Sequence, residues 1–317
     1  MSNAVAVEAR GVRFAYRVKP VLDGVDLTLA AGEVFGVVGP DGAGKSTLLR
    51  LLIGQLVPIA GSVTVLGQAA TETSLRRRIA YMPQSFGQYL DLSVEENLEF
   101  FAELHALDRP SAQALIDDLL ARTGLGDFRR RRAGQLSGGM MQKLALACAL
   151  VSRPRVMFLD EPTTGVDPVS RRAFWQLLDQ VRAEDVAIVY ATANMDEAER
   201  CDRVGMLVGG RFVHTGPPLE LIRRVAAPFY ELSGRNARGR RGEVRALAPV
   251  ELVFPVGETL KVWLADHADE AAFRKAIDDF VPGLASRRLR PSLHDVALRD
   301  LALAGDGADG GAAGRRH

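Results

Sequence analysis

The sequence predicts an α/β fold: a mostly parallel sheet interrupted by a helical insertion, then a small C-terminal α/β extension. Three observations predict it. Residues 34–38 (VFGVV), 156–159 (VMFL) and 186–190 (VAIVY) are short, continuously apolar runs bounded by turns or charges, the pattern of strands covered on both faces. Helical segments lie between these runs, the alternation of an α/β sheet. Across residues 93–150 only helix signals remain, so an insertion of about residues 85–150 separates two sheet strands.

In chain order, residues 25–29 (VDLTL) alternate with period 2 as a half-buried strand, and residues 46–52 read as helix. Ser93 and Glu96 form a capping box before a helix over 97–107, and a second amphipathic stretch covers 111–123. Ser137 suits the N-cap of a helix over 140–151, and Asp167 with Pro168 opens another. The composition shifts after Gly216-Pro217-Pro218. Residues 235–245 carry five arginines among glycines and read as a mobile basic loop. Strands over 251–254 and 259–264, a helix over 269–280 and a last helix over 292–303 capped by Ser292 follow. The domain reading is 1–217, 218–304 and a Gly/Ala-rich disordered tail over 305–317.

Length and composition bound the function. A chain of 317 residues has room for two domains, and 47% apolar with 25% charged residues is ordinary for a globular protein. A net charge of +1 gives no electrostatic footprint for nucleic acid. Cys148 and Cys201 match no metal spacing, which fits a reducing cytosol. No N-terminal run has signal-peptide character, and no stretch approaches the ~20 apolar residues of a membrane span. Any membrane role therefore passes through a partner.

Residues 39–46 (GPDGAGKS) fit the phosphate-loop pattern G-x-x-x-x-G-K-[ST], after an apolar strand and before a helix. Gly39, Pro40, Asp41, Gly42, Ala43 and Gly44 form the loop whose backbone N–H groups turn toward phosphate oxygens, and Thr47 closes it. Lys45 reaches the terminal phosphates and Ser46 offers a hydroxyl to Mg²⁺. Asp160 and Glu161 end the apolar run 156–159, where α/β sheets bind ligands: Asp160 for Mg²⁺, Glu161 to orient or deprotonate the attacking water.

Between loop and acids lies LSGGMMQK, residues 136–143. In this order the three motifs resemble those of ATP-binding cassette (ABC) ATPases, over about residues 5–215. The resemblance implies a RecA-like P-loop NTPase core that binds ATP and Mg²⁺. It implies that Ser137, Gly138 and Gly139 contact the ATP of a second, head-to-tail cassette, in a homo- or heterodimer. The fifth signature position is often Gln in the family; Met140 resembles the variant of drug-export-type cassettes. Tyr16 matches the ring that stacks on adenine. Gln84 matches the glutamine that contacts Mg²⁺ and water, so it joins Glu161 and Lys45 as catalytic and Ser46 and Asp160 as metal-binding. Residues 84–92 match the surface where a transmembrane permease docks, which implies a cytoplasmic protein peripheral to the inner face of the membrane.

One position departs from the family: Ala193 stands where a switch histidine contacts the γ-phosphate. Alanine offers no donor, which implies slower hydrolysis at this chain's own loop. Residues 291–296 (PSLHDV) resemble the ending of drug-export-type extensions. The sequence thus reads as the ATP-binding subunit of an ABC exporter. Two alternatives stand beside it, a soluble ABC ATPase without transport and a non-hydrolysing regulatory cassette.

Overall fold

The computed structural model describes residues 4–85 and 87–309, the last six by backbone alone. The chain divides into two compact units, Met1–Gly216 and Pro217–His317.

In the first unit, β1 (Val5–Tyr16) and β2 (Lys19–Ala30) form an antiparallel hairpin. Next come β3 (Val34–Val38), α1 (Lys45–Leu52), β4 (Ala60–Val65), β5 (Gln68–Ala69) and β6 (Ile79–Met82). Helices α2 (Val94–Leu104), α3 (Arg109–Thr123) and α4 (Gly138–Leu150) precede β7 (Val156–Asp160). Then follow α5 (Pro168–Ala183), β8 (Ala187–Thr192), α6 (Met195–Ala198), β9 (Arg203–Val208) and β10 (Arg211–Gly216). One sheet has the order β2-β1-β4-β5 and the other β10-β9-β3-β8-β7-β6. In the second sheet every pairing is parallel except β10 with β9. Strands β3, β7 and β8 are buried at every residue, which is why they read as unbroken apolar runs and not as alternation. Strands β6 and β7 pair directly, Ile79 opposite Val156 through Met82 opposite Leu159, so the helices between them are an insertion.

That insertion has its own apolar core, with Val94 and Leu98 of α2, Ile116 and Leu120 of α3, and Leu144 and Ala147 of α4. Its helices start where side chains satisfy their free N–H groups. Ser93 and Glu96 make both arms of the capping box, Ser93 Oγ accepting from Glu96 N at 3.2 Å and Glu96 Oε2 from Ser93 N at 2.7 Å. Helix α3 starts two residues before the sequence expectation. Asp108 caps it by accepting from Ser111 N at 3.0 Å, and Pro110 supplies a helical φ in its first turn.

In the second unit, α7 (Pro218–Arg224), β11 (Phe229–Gly234), α8 (Arg241–Arg245), β12 (Val250–Val256), β13 (Thr259–Leu264), α9 (Glu270–Phe280), β14 (Leu284–Leu289) and α10 (Leu293–Asp309) follow in order. The antiparallel sheet runs β12-β13-β11-β14. Alternation splits its faces: Tyr230, Leu232 and Val262 pack with Phe273 and Ile277 of α9, while Phe229 and Trp263 pack with Val296 of α10. The PSLHDV ending gains a physical reason. Ser292 caps α10, and the buried Asp295 accepts from Ser292 Oγ at 2.8 Å and from Lys261 Nζ at 2.7 Å.

Two expectations are corrected. Residues 235–245 are no loose basic loop: Arg238–Arg240 is a 3₁₀ turn that leads into α8. Arg240 donates to the Pro282 carbonyl at 2.6 Å and Arg241 to the Val253 carbonyl at 3.2 Å, so backbone carbonyls, invisible to a charge count, hold these guanidiniums. The expected disordered tail is helical from 305 to 309 as the end of α10, and residues 310–317 lie outside the described residues.

Candidate nucleotide site

Strand β3 ends at Val38, the loop 39–44 turns back, and α1 starts at Lys45. Gly44 is the N-cap of α1 at φ +107°, a conformation that L side chains rarely adopt, and a Cβ there would lie 2.9 Å from Leu22 Cδ2. Gly39 donates its N–H to the Thr192 carbonyl at 3.3 Å, which ties the loop to the end of β8.

Lys45 is 4% exposed and folds back under the loop. Its Nζ donates to the carbonyls of Gly39 (2.9 Å) and Pro40 (3.1 Å) and pairs with Glu161 Oε1 at 2.9 Å. Asp41, at 3.8 Å from Nζ, is almost wholly exposed. Glu161 follows β7 with φ +50°, a left-handed conformation sparse for a non-glycine residue and typical of functional sites. Its N–H donates to the Ala191 carbonyl at 2.9 Å, and Oε2 accepts from Gln84 Nε2 and from Thr164 Oγ1, each at 3.2 Å.

Asp160 is 2% exposed. Ser46 Oγ donates to Oδ1 at 3.0 Å and Tyr81 OH to Oδ2 at 3.3 Å. Burial pushes the Asp160 carboxyl above its ordinary range, against the two hydroxyls that lower it. A buried carboxylate beside a serine hydroxyl offers two hard oxygen donors. Among the described residues no group of three His, Cys, Asp or Glu is placed to hold a metal. The pair therefore fits a cation such as Mg²⁺, which keeps waters and takes its remaining ligands from phosphates.

Lys45, Ser46, Asp160, Glu161 and Gln84 thus converge. The Gln84 side chain hydrogen-bonds Glu161 rather than Ser46 or Asp160. Tyr16, 43% exposed at the end of β1, packs edge-on to Phe14 with centroids 4.9 Å apart. The hydroxyls of Tyr16 and Tyr81 lie beside the exposed Arg50 of α1 and hold its guanidinium pKa above the ordinary value. Ser137 Oγ caps α4 by accepting from Met140 N at 3.3 Å, and none of the hydrogen bonds or ion pairs of the described residues joins residues 137–139 to the phosphate loop. The two glycines differ. Gly138 is exposed, and a Cβ added there would meet nothing within 4 Å, whereas Gly139 is buried and its Cβ would lie 2.4 Å from Ser170 of α5. Ala193 is exposed, after Thr192 and before Asn194, which caps α6.

Tyr81, Arg50 and Thr164 were not singled out by sequence. Tyr81 carried a faint signal, a polar-tipped residue on the short strand leading to Gln84. Arg50 carried none, because the tyrosines beside it come from other elements, and Thr164, three residues after Glu161, belongs to no motif.

The family described as ABC transporter matches residues 22–164. Over 297 residues the chain is 38% identical to the probable multidrug ABC transporter ATP-binding protein YbhF of Escherichia coli, covering 92% of this chain and 51% of that protein. The chain thus spans about half the length of that relative. It is 37% identical over 304 residues to the Nod factor export ATP-binding protein I of a Rhizobium species, covering 94% of this chain and 97% of that one. An ATP-binding cassette solved as a dimer in a post-hydrolysis state with ADP and Pi superposes with a TM-score of 0.61 at 26% identity, over 67% of this chain and 98% of that one. With its phosphate loop, paired acids and Ser-Gly-Gly turn in this arrangement, the chain belongs to the ABC transporter ATP-binding proteins.

Proposed function

We propose that the chain binds and hydrolyses ATP in a head-to-tail pair of cassettes and so drives export through a separate membrane permease. The observation that carries this reading is the convergence of Lys45, Ser46, Asp160 and Glu161 at the C-terminal ends of β3 and β7. The loop N–H groups and the N-terminus of α1 receive the phosphates. Lys45 exchanges the Glu161 carboxylate for phosphate oxygens, which frees Glu161 to turn to water. Ser46 and Asp160 would hold Mg²⁺, which would supply positive charge against that of the phosphates. Glu161, steadied by Gln84 and Thr164, orients the attacking water and takes its proton. Tyr16 presents its exposed ring to the adenine.

Two surfaces support the need for partners. Ser137 and Gly138 are exposed at the start of α4, where free backbone N–H groups suit a phosphate supplied by another cassette. Within the permease-facing segment 84–92, Tyr89 and Leu90 are about half exposed, and Tyr89 stacks edge-on to Phe100 at 4.6 Å. Buried Asn97 fixes this segment through Tyr89 N–H (2.8 Å) and the Tyr89 carbonyl (3.0 Å). Phe86 lies outside the described residues. The exposed apolar pair Tyr89 and Leu90 suits contact with a permease helix at the inner membrane face. Among the described residues no helix is long and apolar enough to cross a membrane.

Lys45→Ala tests the reading. ATP affinity should fall by roughly 10- to 100-fold with the fold intact, as loss of a hydrogen bond to a charged group implies. A wild-type chain that binds no ATP contradicts the reading. Ala193 favours a second reading, a cassette that binds ATP and scarcely hydrolyses it because no side chain meets the γ-phosphate there. A wild-type chain with tight ATP binding and no phosphate release would favour that reading.

A further inference from the structure

Among the described residues of the first unit, the mechanism leaves the buried carboxylate of Glu197 unused. Glu197, on α6, is 3% exposed, and the groups around it are as deeply buried: Thr163 at 2%, Thr192 at 3% and Tyr190 at 0%. Glu197 Oε1 accepts from Thr163 Oγ1, which is also 3.2 Å from the Tyr190 hydroxyl. Glu197 Oε2 accepts from Thr192 Oγ1 at 2.7 Å. Arg171 Nε of α5 lies 3.4 Å from Oε1, an ion pair without a hydrogen bond, while its Nη2 donates to the Val166 carbonyl at 3.3 Å. A carboxylate held out of water is costly unless charge and hydrogen bonds compensate it, and here three elements supply the compensation.

Those elements surround the reacting end of the site. Thr163 lies two residues after Glu161 in the turn leaving β7. Thr192 ends β8 directly before Ala193, and its hydroxyl also accepts from Asn194 N at 2.9 Å. Arg171 lies one turn into the helix that Asp167 caps. The same end of β8 carries the two carbonyls that anchor the site backbone: Ala191 receives Glu161 N–H at 2.9 Å and Thr192 receives Gly39 N–H at 3.3 Å. Whatever fixes Thr192 therefore fixes the distance between the phosphate loop and Glu161. Glu161 sits at φ +50°, a conformation that persists only where its surroundings over-determine it. Gln84, Thr164 and Lys45 hold the Glu161 side chain, and this scaffold holds the backbone that carries it.

We propose that Glu197 is a positioning residue for hydrolysis: it clamps the Glu161 turn, the end of β8 and the first turns of α5 into one register, and acts on the reaction only through Glu161. This rests on the ATPase reading. Misplacing a catalytic group by about an ångström costs on the order of 10²-fold in rate, whereas ATP affinity comes from the loop and Lys45, which Glu197 does not touch.

The test uses Glu197→Gln, which keeps shape and removes charge, and Thr192→Val, which keeps volume and removes one hydroxyl. Each is measured for kcat, KM, ATP affinity and melting temperature, alone and combined, with Glu161→Gln alongside. The expected result is a fall in kcat of about 10- to 100-fold in each single variant, with KM and ATP affinity within about threefold of wild type. The double variant should be no worse than the poorer single one, because both break one clamp. Unchanged kcat overturns the proposal, as do losses that multiply in the double variant or a kcat that falls only in step with binding and melting temperature. If Glu161→Gln leaves turnover intact, the ATPase reading fails. If it abolishes turnover while the other two do not, this proposal alone fails.

Discussion

Changing the two signature glycines one at a time should have opposite effects. A Cβ on Gly139 would lie 2.4 Å from both Cβ and Oγ of Ser170, far inside the ~3.5–4.0 Å at which carbon atoms pack. The Ser170 hydroxyl can rotate away, but its Cβ is fixed to the first turn of α5, so backbone must move. Overpacking of this kind costs about 1–3 kcal/mol. For a unit of 150–250 residues that lowers the melting temperature by roughly 2–12 °C, at about 2–4 °C per kcal/mol. Gly138 meets nothing within 4 Å, and alanine is preferred over glycine in a helix by up to about 1 kcal/mol, so Gly138→Ala should melt at or above wild type. Its methyl group would instead face the nucleotide of a partner cassette and cut turnover at least 10-fold. Calorimetry without nucleotide, with MgATP turnover on the same samples, reads both effects. Ser170→Gly should restore much of the stability lost in Gly139→Ala. A Gly139→Ala protein that melts within about 1 °C of wild type, or a Gly138→Ala protein that falls as far, refutes this account of the turn.

Asp295 gives a pH-dependent prediction. Burial raises its pKa, but Lys261 and the Ser292 cap outweigh that and hold it below the ordinary value of 3.8. A carboxyl with a lowered folded-state pKa stabilises the fold above its unfolded value and loses that contribution as the pH falls through the folded value. Asp295→Asn should therefore cost about 2 kcal/mol at neutral pH and progressively less in acid below pH 3.8, as read by denaturant melts of the whole chain. A pH-independent difference would contradict the ion-pair account. Ala193→His should raise kcat about 10-fold or more with little change in ATP affinity, since one preorganised donor to developing charge is worth up to 10²–10³-fold. If histidine restores nothing, the missing donor does not limit the rate.

The fold was legible where burial on both faces leaves an unmistakable run, as in β3, β7 and β8, and where a cap is local, as with Ser93, Ser137 and Asp167. It was not legible in β14 (LASRRL), an edge strand whose arginines turn outward and whose identity depends on pairing with β11. The arginines of 235–245 misled for a related reason, since Arg240 and Arg241 are held by carbonyls of Pro282 and Val253. That Lys45, Ser46, Asp160 and Glu161 lie together followed from strand ends on one side of a parallel sheet. Their supports did not. Glu197 lies 34 residues from Thr163 and shares no local pattern with it, so a polar network across three elements is silent in the sequence.

The most direct test of the central claim is phosphate release from MgATP by wild type and Glu161→Gln, with ATP binding measured on the same preparations. Glu161→Gln keeps the size of the side chain and its place beside Lys45 while removing the base. The account predicts ATP binding within a few-fold of wild type and phosphate release lowered at least 100-fold. A Glu161→Gln chain that releases phosphate at the wild-type rate would contradict it.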